Sequence, residues 1–128
     1  TSRKVIYAYE YDGTTGRVSK RRIFASFEKS RGYPDGATTD ADGFVWSVEV
    51  YIGRLVRFAP DGSIDRLVGL PVSSTTSISF GGPDLDIAFI TSMARPIGGV
   101  TPKEREAGGV FAVHGLGVRG LPEPRFAG

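Results

Sequence analysis

The sequence contains no cysteine and a single histidine, His114, and these scarcities exclude two kinds of chemistry. Without cysteine there is no disulfide framework and no thiol chemistry. One histidine cannot build a histidine-based metal triad, so such a site would need ligands from outside the chain. We predict a surface or packing role for His114. A lack of cysteine is compatible with a reducing compartment, and we expect a cytoplasmic location.

Long apolar runs and concentrated charge are also lacking. No stretch approaches the roughly 18 consecutive apolar residues of a membrane helix, so no membrane span is expected. The 16 Lys and Arg residues nearly balance 14 Asp and Glu residues, and the formal net charge is +2. The longest basic run is Lys20-Arg21-Arg22. A nucleic-acid surface needs a clustered basic face, so no nucleic-acid partner is expected.

Glycine and proline are plentiful, with 18 and 8 residues, and they lie between short apolar runs. These runs recur about every ten residues and no long helical period is present, which predicts an all-β fold. Residues 96–108 interrupt the pattern as a polar excursion, in which residues 101–106 are compatible with one helical turn. Residues 121–128 are expected to form an irregular tail.

The stretch from Tyr33 to Tyr51 carries the clearest turn signals. Pro34-Asp35-Gly36 reads as a turn or a strand entry, because proline fixes φ and glycine tolerates positive φ. Residues 37–40 read as a short strand. Asp42-Gly43 then predicts a two-residue type I′ hairpin turn. Residues 44–51 form the returning strand, which is rich in aromatic and β-branched residues.

The chain also repeats itself. Residues 34–40 and 45–47 resemble residues 76–80 and 89–91, with an offset of 42 positions where the two stretches begin, and residues 53–58 match residues 108–113 at an offset of 55. Residues 5–13 match residues 54–62 at an offset of 49. A unit of about 40 residues with four strands is typical of a propeller blade. In such a fold we expect Trp46 to lie in the core between blades.

The strand count gives two nearly complete blades and one outer strand pair, within a single partial propeller domain over residues 1–128. Natural propellers close with about 4 to 8 blades. An open blade would expose an apolar inner face and an unpaired edge. The sequence therefore predicts missing blades, supplied by the rest of the same polypeptide, by a second chain or by a symmetry mate.

The repeat places Asp35 and Ser77 at equivalent positions near the starts of innermost strands, where both would face the central channel. Such oxygen ligands suit a hard cation such as Ca²⁺, or a more open Zn²⁺ or Mn²⁺ site. The alternative from spacing alone is that Asp35 is an ordinary turn residue. Glu49 is expected either on the outward face of its strand or in the channel. Residues 40–43 and 84–86 lack calcium-loop spacing and are expected to be turns.

Several motifs together resemble the gluconolactonase/regucalcin (senescence marker protein) family, collinearly over nearly the whole chain and similar to the family's C-terminal portion. They are Pro34-Asp35-Gly36 with 40–46, 53–58 with Pro60-Asp61-Gly62, 70–72, 75–77 with 80–82, 91–95, and 107–111 with 115–120.

The resemblance implies a six-bladed β-propeller that hydrolyses sugar lactones with one divalent metal, calcium foremost, with zinc, manganese or magnesium as alternatives. It implies that Asp35 is a metal ligand and the base or proton shuttle. Ser77 is a candidate substrate-binding residue that lines the channel. The family's other ligands have no counterpart here, so the isolated chain is expected to be inactive. Two alternatives stay open: aryl-ester or organophosphate hydrolysis, and a non-catalytic split or truncated propeller that serves as a binding or assembly module.

Overall fold

The structure, a computed structural model, describes residues 3–96 and 98–124, which form nine β-strands and no helix. The strands are β1 (Val5–Asp12), β2 (Arg17–Ser26), β3 (Tyr33–Thr39), β4 (Val45–Val50), β5 (Arg54–Phe58), β6 (Ile64–Gly69), β7 (Thr75–Gly81), β8 (Ile87–Ser92) and β9 (Val110–Val113). The expected all-β class is confirmed. Within the described ranges, no helix is long and apolar enough to span a membrane.

The strands form three antiparallel sheets in chain order. The first sheet pairs β1 with β2, the second has the order β3-β4-β5-β6, and the third has the order β7-β8-β9. Each sheet is an up-and-down meander, which is how a propeller blade is built. The arrangement confirms one outer strand pair followed by two nearly complete blades.

Strand registers confirm the 42-residue repeat in the inner halves of the second and third sheets. Ala37 pairs with Ser47 in the second sheet, and Ser79 pairs with Phe89 in the third, 42 positions later in both strands. The next two pairs towards the turn follow the same rule, so residues 45–47 correspond to residues 87–89 and not to residues 89–91 as the sequence match suggested. The rule fails at the bulges, because Glu49 pairs with Pro34 whereas Thr91 pairs with Ser77. Between the bulges and the turns, equivalent residues lie at equivalent heights in the two sheets.

The outer strands correct the predicted offset of 55. Arg57 is the partner of Trp46, and Val113 is the partner of the equivalent Ala88, so the offset is 56. A shift of one residue exchanges the two faces of a strand. Accordingly Phe111, and not Val110, takes the place of Leu55: Phe111 packs against the core, whereas Val110 is 67% exposed.

Both faces of the two central strands of the second sheet, β4 and β5, are buried. On one face Trp46, Val48 and Leu55 pack against residues of the third sheet, and Trp46 meets Phe80 edge to face with ring centroids 6.0 Å apart. On the other face, Val56 and Phe58 pack against residues at the end of the first sheet. The expected position of Trp46 between blades is confirmed, and burial on both faces explains why β4 and β5 lack polar alternation.

Three further expectations concern the C-terminal part of the chain. The proposed helical turn at residues 101–106 is wrong, because residues 105–108 form non-helical turns within the described part of the excursion. His114 is exposed, as expected. Residues 121–124 are irregular, and the rest of the expected tail, residues 125–128, lies outside the described residues.

The corrected register predicts unequal effects for two adjacent substitutions. Phe111→Ala removes a partly buried ring and should lower the free energy of unfolding by about 2 kcal/mol, less than the loss at a fully buried site. Val110→Ala should change it by less than about 0.5 kcal/mol, because its side chain is largely in water. Urea unfolding of the two variants measures the difference. Equal losses, or a larger loss at position 110, would favour the offset of 55.

Candidate functional site

Asp35 lies in a bulge inside β3, and not in a turn or at a strand entry as predicted. Pro34 pairs with Glu49 and Ala37 pairs with Ser47, so Asp35 and Gly36 together face one residue of β4. A bulge of this kind breaks the ladder and changes the direction of a side chain. The β7 strand has a register shift near its own start, between Thr75 and Ser77.

Gly36 allows the two innermost strands to approach each other closely. A Cβ atom built on Gly36 would lie 2.6 Å from the Cα atom of Ser77, a distance that real side chains do not reach. Only glycine leaves this space to the neighbouring backbone. Asp35 therefore lies one residue from the contact with Ser77, and both side chains are exposed. The two predicted site residues are brought to adjacent positions on neighbouring innermost strands.

The environment of Asp35 affects its protonation. Nearby protein atoms exclude part of the surrounding water, and this burial raises the pKa of the Asp35 carboxyl above its usual range. A carboxylate that is less well solvated is a stronger proton acceptor and a better ligand for a cation.

Three connections lie at the same end of the sheets as the start of β3. They are residues 51–53 between β4 and β5, residues 70–74 between β6 and β7, and residues 93–109 between β8 and β9. The amide of Tyr51 donates to the carbonyl of Ser73 at 2.8 Å, and the amide of Ser73 donates to Glu104 Oε1 at 2.9 Å. The polar excursion of the sequence is thus attached to the end of the sheets that carries Asp35.

The described residues fit only part of a metal site. Among them, no group of three or more His, Cys, Asp or Glu side chains converges where an ion could bind. Asp35 and Ser77 offer oxygen atoms, which hard cations prefer, but Ca²⁺ takes about six to eight oxygen ligands. Any further carboxylate or imidazole ligands would have to come from outside the described residues.

Glu49 occupies neither of its two expected positions. It is fully buried, where it accepts hydrogen bonds from the Ser30 hydroxyl and from Arg54 Nε. A Cβ atom on Gly32 would lie 2.6 Å from Glu49 Oε1, so the loop before β3 packs directly on this carboxylate. The sequence pattern did not predict this burial, because alternation assumes one exposed face and both faces of β4 are covered.

Asp40 was expected to be a turn residue, and it is also a buried ion-pair partner. Its carboxylate accepts hydrogen bonds from Trp46 Nε1 at 2.8 Å and from Arg57 Nε and Nη2 at 2.8 and 2.6 Å. Burial alone would raise the pKa of Asp40, but these bonds outweigh it and hold the pKa below its usual range. The same bonds help to keep the pKa of Arg57 raised, although burial opposes this.

The turn after Asp40 differs from the predicted type I′ turn. Gly43 has a φ of +82°, but Ala41 and Asp42 are not in the positive-φ region that type I′ requires. The Gly43 amide donates to the Asp40 carbonyl at 3.0 Å, and the Asp40 amide donates to the Phe44 carbonyl at 2.9 Å. This is a longer turn that ends in a left-handed glycine. Residues 84–86 lie in a turn or bend region, as expected.

The three sheets are antiparallel meanders that pack face to face in chain order, and Asp35 and Ser77 lie on neighbouring innermost strands. This arrangement defines a partial β-propeller. The family model described as SMP-30/Gluconolactonase/LRE-like region matches residues 1–94, and the chain belongs to this family.

Similar proteins agree with this assignment. Regucalcin from Sus scrofa is 40% identical over 126 residues, and regucalcin from Homo sapiens is 39% identical; each match covers 94% of this chain and 41% of the relative. A luciferin-regenerating enzyme superposes with a TM-score of 0.83 at 30% identity, over 93% of this chain and 40% of its own. The calcium-binding protein regucalcin from Agrobacterium tumefaciens gives a TM-score of 0.85 at 25% identity, over 97% and 42%. The chain thus spans about two fifths of the length of these proteins.

The raised pKa of Asp35 predicts a small gain in stability from Asp35→Asn. The folded state disfavours the charged carboxylate, so the wild type loses stability as pH rises from the unfolded pKa through the folded pKa. Without metal, the variant should therefore melt at a higher temperature at pH 7, and the difference should vanish below about pH 4, near the ordinary aspartate pKa. Thermal unfolding at both pH values measures it. A lower melting temperature at pH 7 would contradict the prediction.

The Asp40 ion pair predicts a large loss of stability from Asp40→Asn, about 3 kcal/mol, because Arg57 would stay buried without its main counter-charge. The lowered pKa gives the wild type a stabilisation that is present above the unfolded pKa and is lost as pH falls through the folded pKa. Asp42→Asn is the control, since Asp42 also contacts Arg57 but is 67% exposed. Urea unfolding at pH 7 should show a much larger loss of unfolding free energy for Asp40→Asn than for Asp42→Asn. Equal losses would contradict the role of Asp40 as the main counter-charge of Arg57.

Proposed function

We propose that this chain supplies the C-terminal blades, and the ligand Asp35, of a metal-dependent hydrolase that opens sugar lactones. The observation that carries the proposal is the position of Asp35, which lies exposed in an innermost-strand bulge, with a raised pKa, beside the close contact of β3 with Ser77. Membership of a family whose model name includes gluconolactonase supports the reaction class.

In this proposal Asp35 holds one divalent ion, calcium in the first place, together with ligands from the missing blades. A bound metal would polarise the lactone carbonyl and lower the pKa of water. Asp35 orients the attacking water and accepts its proton. Ser77 contacts the substrate from the neighbouring strand. The water oxygen bonds to the carbonyl carbon, the ring C–O bond breaks, and the departing ring oxygen takes up the proton held by Asp35, which gives the open hydroxy acid.

The missing blades are the main partner in this proposal. The chain covers 41% of its relatives, and the third sheet has three strands where the second has four. Two copies would bring eighteen of the described strands, whereas six four-stranded blades need about 24. The remainder of the same polypeptide or a second, different chain therefore fits better than a symmetry mate.

The test is Asp35→Ala in the complete propeller. We expect loss of divalent-metal binding by calorimetry and a fall of at least about a hundredfold in lactone opening, since a ligand and a proton acceptor are removed together. Asp42→Ala, which changes an exposed carboxylate at the opposite end of the second sheet, should leave both unchanged. Retained metal binding and activity in Asp35→Ala would overturn the proposal.

Intact-mass analysis separates the hydrolase from a non-catalytic assembly module. A longer polypeptide, or a co-purifying chain of about 150–170 residues, would complete a six-bladed ring and support the hydrolase. A 128-residue monomer that binds neither metal nor lactone would favour the module. Assays with aryl esters and organophosphates beside aldonolactones identify the substrate class.

A further inference from the structure

The buried carboxylate of Glu49 lies beside the bulge that carries Asp35. Glu49 pairs with Pro34 immediately before the bulge, and Ser47 pairs with Ala37 immediately after it. The Ser47 hydroxyl also reaches the Asp35 carbonyl at 3.4 Å. The direction of the Asp35 side chain therefore depends on how these two β4 residues hold the β3 backbone.

Glu49 also holds the loop through which the chain enters β3. Ser30 donates to the Glu49 carboxylate, and the Gly32 amide donates to the Ser30 hydroxyl at 3.1 Å. Lys4 Nζ donates to the Ser30 carbonyl at 2.8 Å, so the loop is also held by the residue that directly precedes β1. Arg54 completes the cluster by pairing with Glu49 at the start of β5.

Stability alone does not account for this arrangement. Desolvating a carboxylate costs free energy, and a buried ion pair is often no more stable than apolar residues of similar volume. The third sheet shows that the repeat does not require the carboxylate. The residue equivalent to Glu49, 42 positions later, is Thr91, which is exposed. The residue equivalent to Asp35 there is Ser77, so the sheet without the candidate ligand also lacks the buried carboxylate.

We propose that Glu49 is a positioning residue, which fixes the entrance of β3 through Ser30 and Arg54 and thereby sets the direction in which Asp35 points into the channel. This inference rests on the proposed function for the role of Asp35. The claim that Glu49 holds the β3 backbone does not depend on the role of Asp35, and amide hydrogen exchange tests it separately.

The main experiment compares Ser30→Ala with Ser63→Ala in the metal-free complete propeller. Each substitution removes one serine-to-carboxylate hydrogen bond; Ser63 donates to Asp61 at 2.6 Å in the exposed turn between β5 and β6. We expect Ser30→Ala to weaken calcium affinity about tenfold in calorimetry, the lower end of the range for residues that orient ligands. Ser63→Ala should stay within about twofold of the wild type. Equal affinities for Ser30→Ala and the wild type would overturn the inference.

A second pair tests the carboxylate itself. Glu49→Gln and Asp40→Asn each neutralise a buried carboxylate that is paired with an arginine of β5, at opposite ends of the same sheet. Both should lower stability, but only Glu49→Gln should weaken calcium affinity when each variant is measured well below its unfolding temperature. Equal weakening in the two variants would indicate a general loss of stability and would contradict positioning by Glu49.

Amide hydrogen exchange gives the readout that does not depend on metal or activity. In the metal-free complete propeller, Ser30→Ala should speed exchange in the segment 33–37 more than in the segment 75–79, and Ser63→Ala should change neither. Unchanged exchange at 33–37 would overturn the claim that Glu49 holds the β3 backbone. If the wild-type propeller binds none of Ca²⁺, Mn²⁺ or Zn²⁺, the proposed function fails by itself, and the exchange result alone then decides the role of Glu49.

Discussion

The buried ion pair between Asp40 and Arg57 is the interaction on which the second sheet depends. Arg57 Nη2 reaches Asp40 at 2.6 Å, and Nη1 reaches Asp65 on β6 at 3.1 Å. Its guanidinium also lies 3.7 Å from the ring centroid of Phe44, next to the turn. One cation thus connects all four strands of the sheet at one end. Because a buried charge without partners is very costly, this geometry leaves few alternatives for the turn or for the register of β5.

The opposite end of the same sheet also has a buried carboxylate that pairs with an arginine of β5. Glu49 and Arg54 form the second pair, and apolar residues of β4 and β5 fill the space between the two ends. Both arginines belong to β5, and the two carboxylates belong to the inner half of the sheet. The inner strands are therefore held to the outer ones by charge at both ends and by packing in the middle. Since the bulge of β3 lies between these fixed ends, its conformation is strongly constrained.

Much of the fold could be predicted from the sequence because turn residues and apolar runs act locally. The 42-residue repeat holds in the registers of the inner strands because residues such as Ala37 and Ser79 occupy equivalent environments. The offset of the outer strands was missed by one position, since Gly53 and Gly108 look alike in sequence. The burial of side chains fixes the offset at 56, because Phe111 then packs where Leu55 packs in the second sheet. Matching two glycines in the sequence does not show which face of the strand is buried.

The candidate site was harder to predict because its geometry arises between distant segments. Gly36 was interpreted as part of a turn. Its lack of a side chain instead leaves space for the backbone of Ser77, which is 41 positions away in the chain. Glu49 was expected on the outward face or in the channel, and Arg57 was not singled out in the sequence. A signal was nevertheless present, because a strand that is covered on both faces has no outward side for a charge. A charged residue in such a strand must find a partner, and each of these did so across the sheet.

The exposed carboxylate of Asp35 differs from the two buried carboxylates of the second sheet. Asp40 and Glu49 are satisfied by arginine, whereas the carboxylate of Asp35 has no ion-pair or hydrogen-bond partner among the described residues and is still partly desolvated. Partial desolvation of an unpaired carboxylate is unfavourable for this chain alone. In the function proposed above, a cation and ligands from the missing blades would offset this cost, and this is the physical argument for treating Asp35 as part of a larger site.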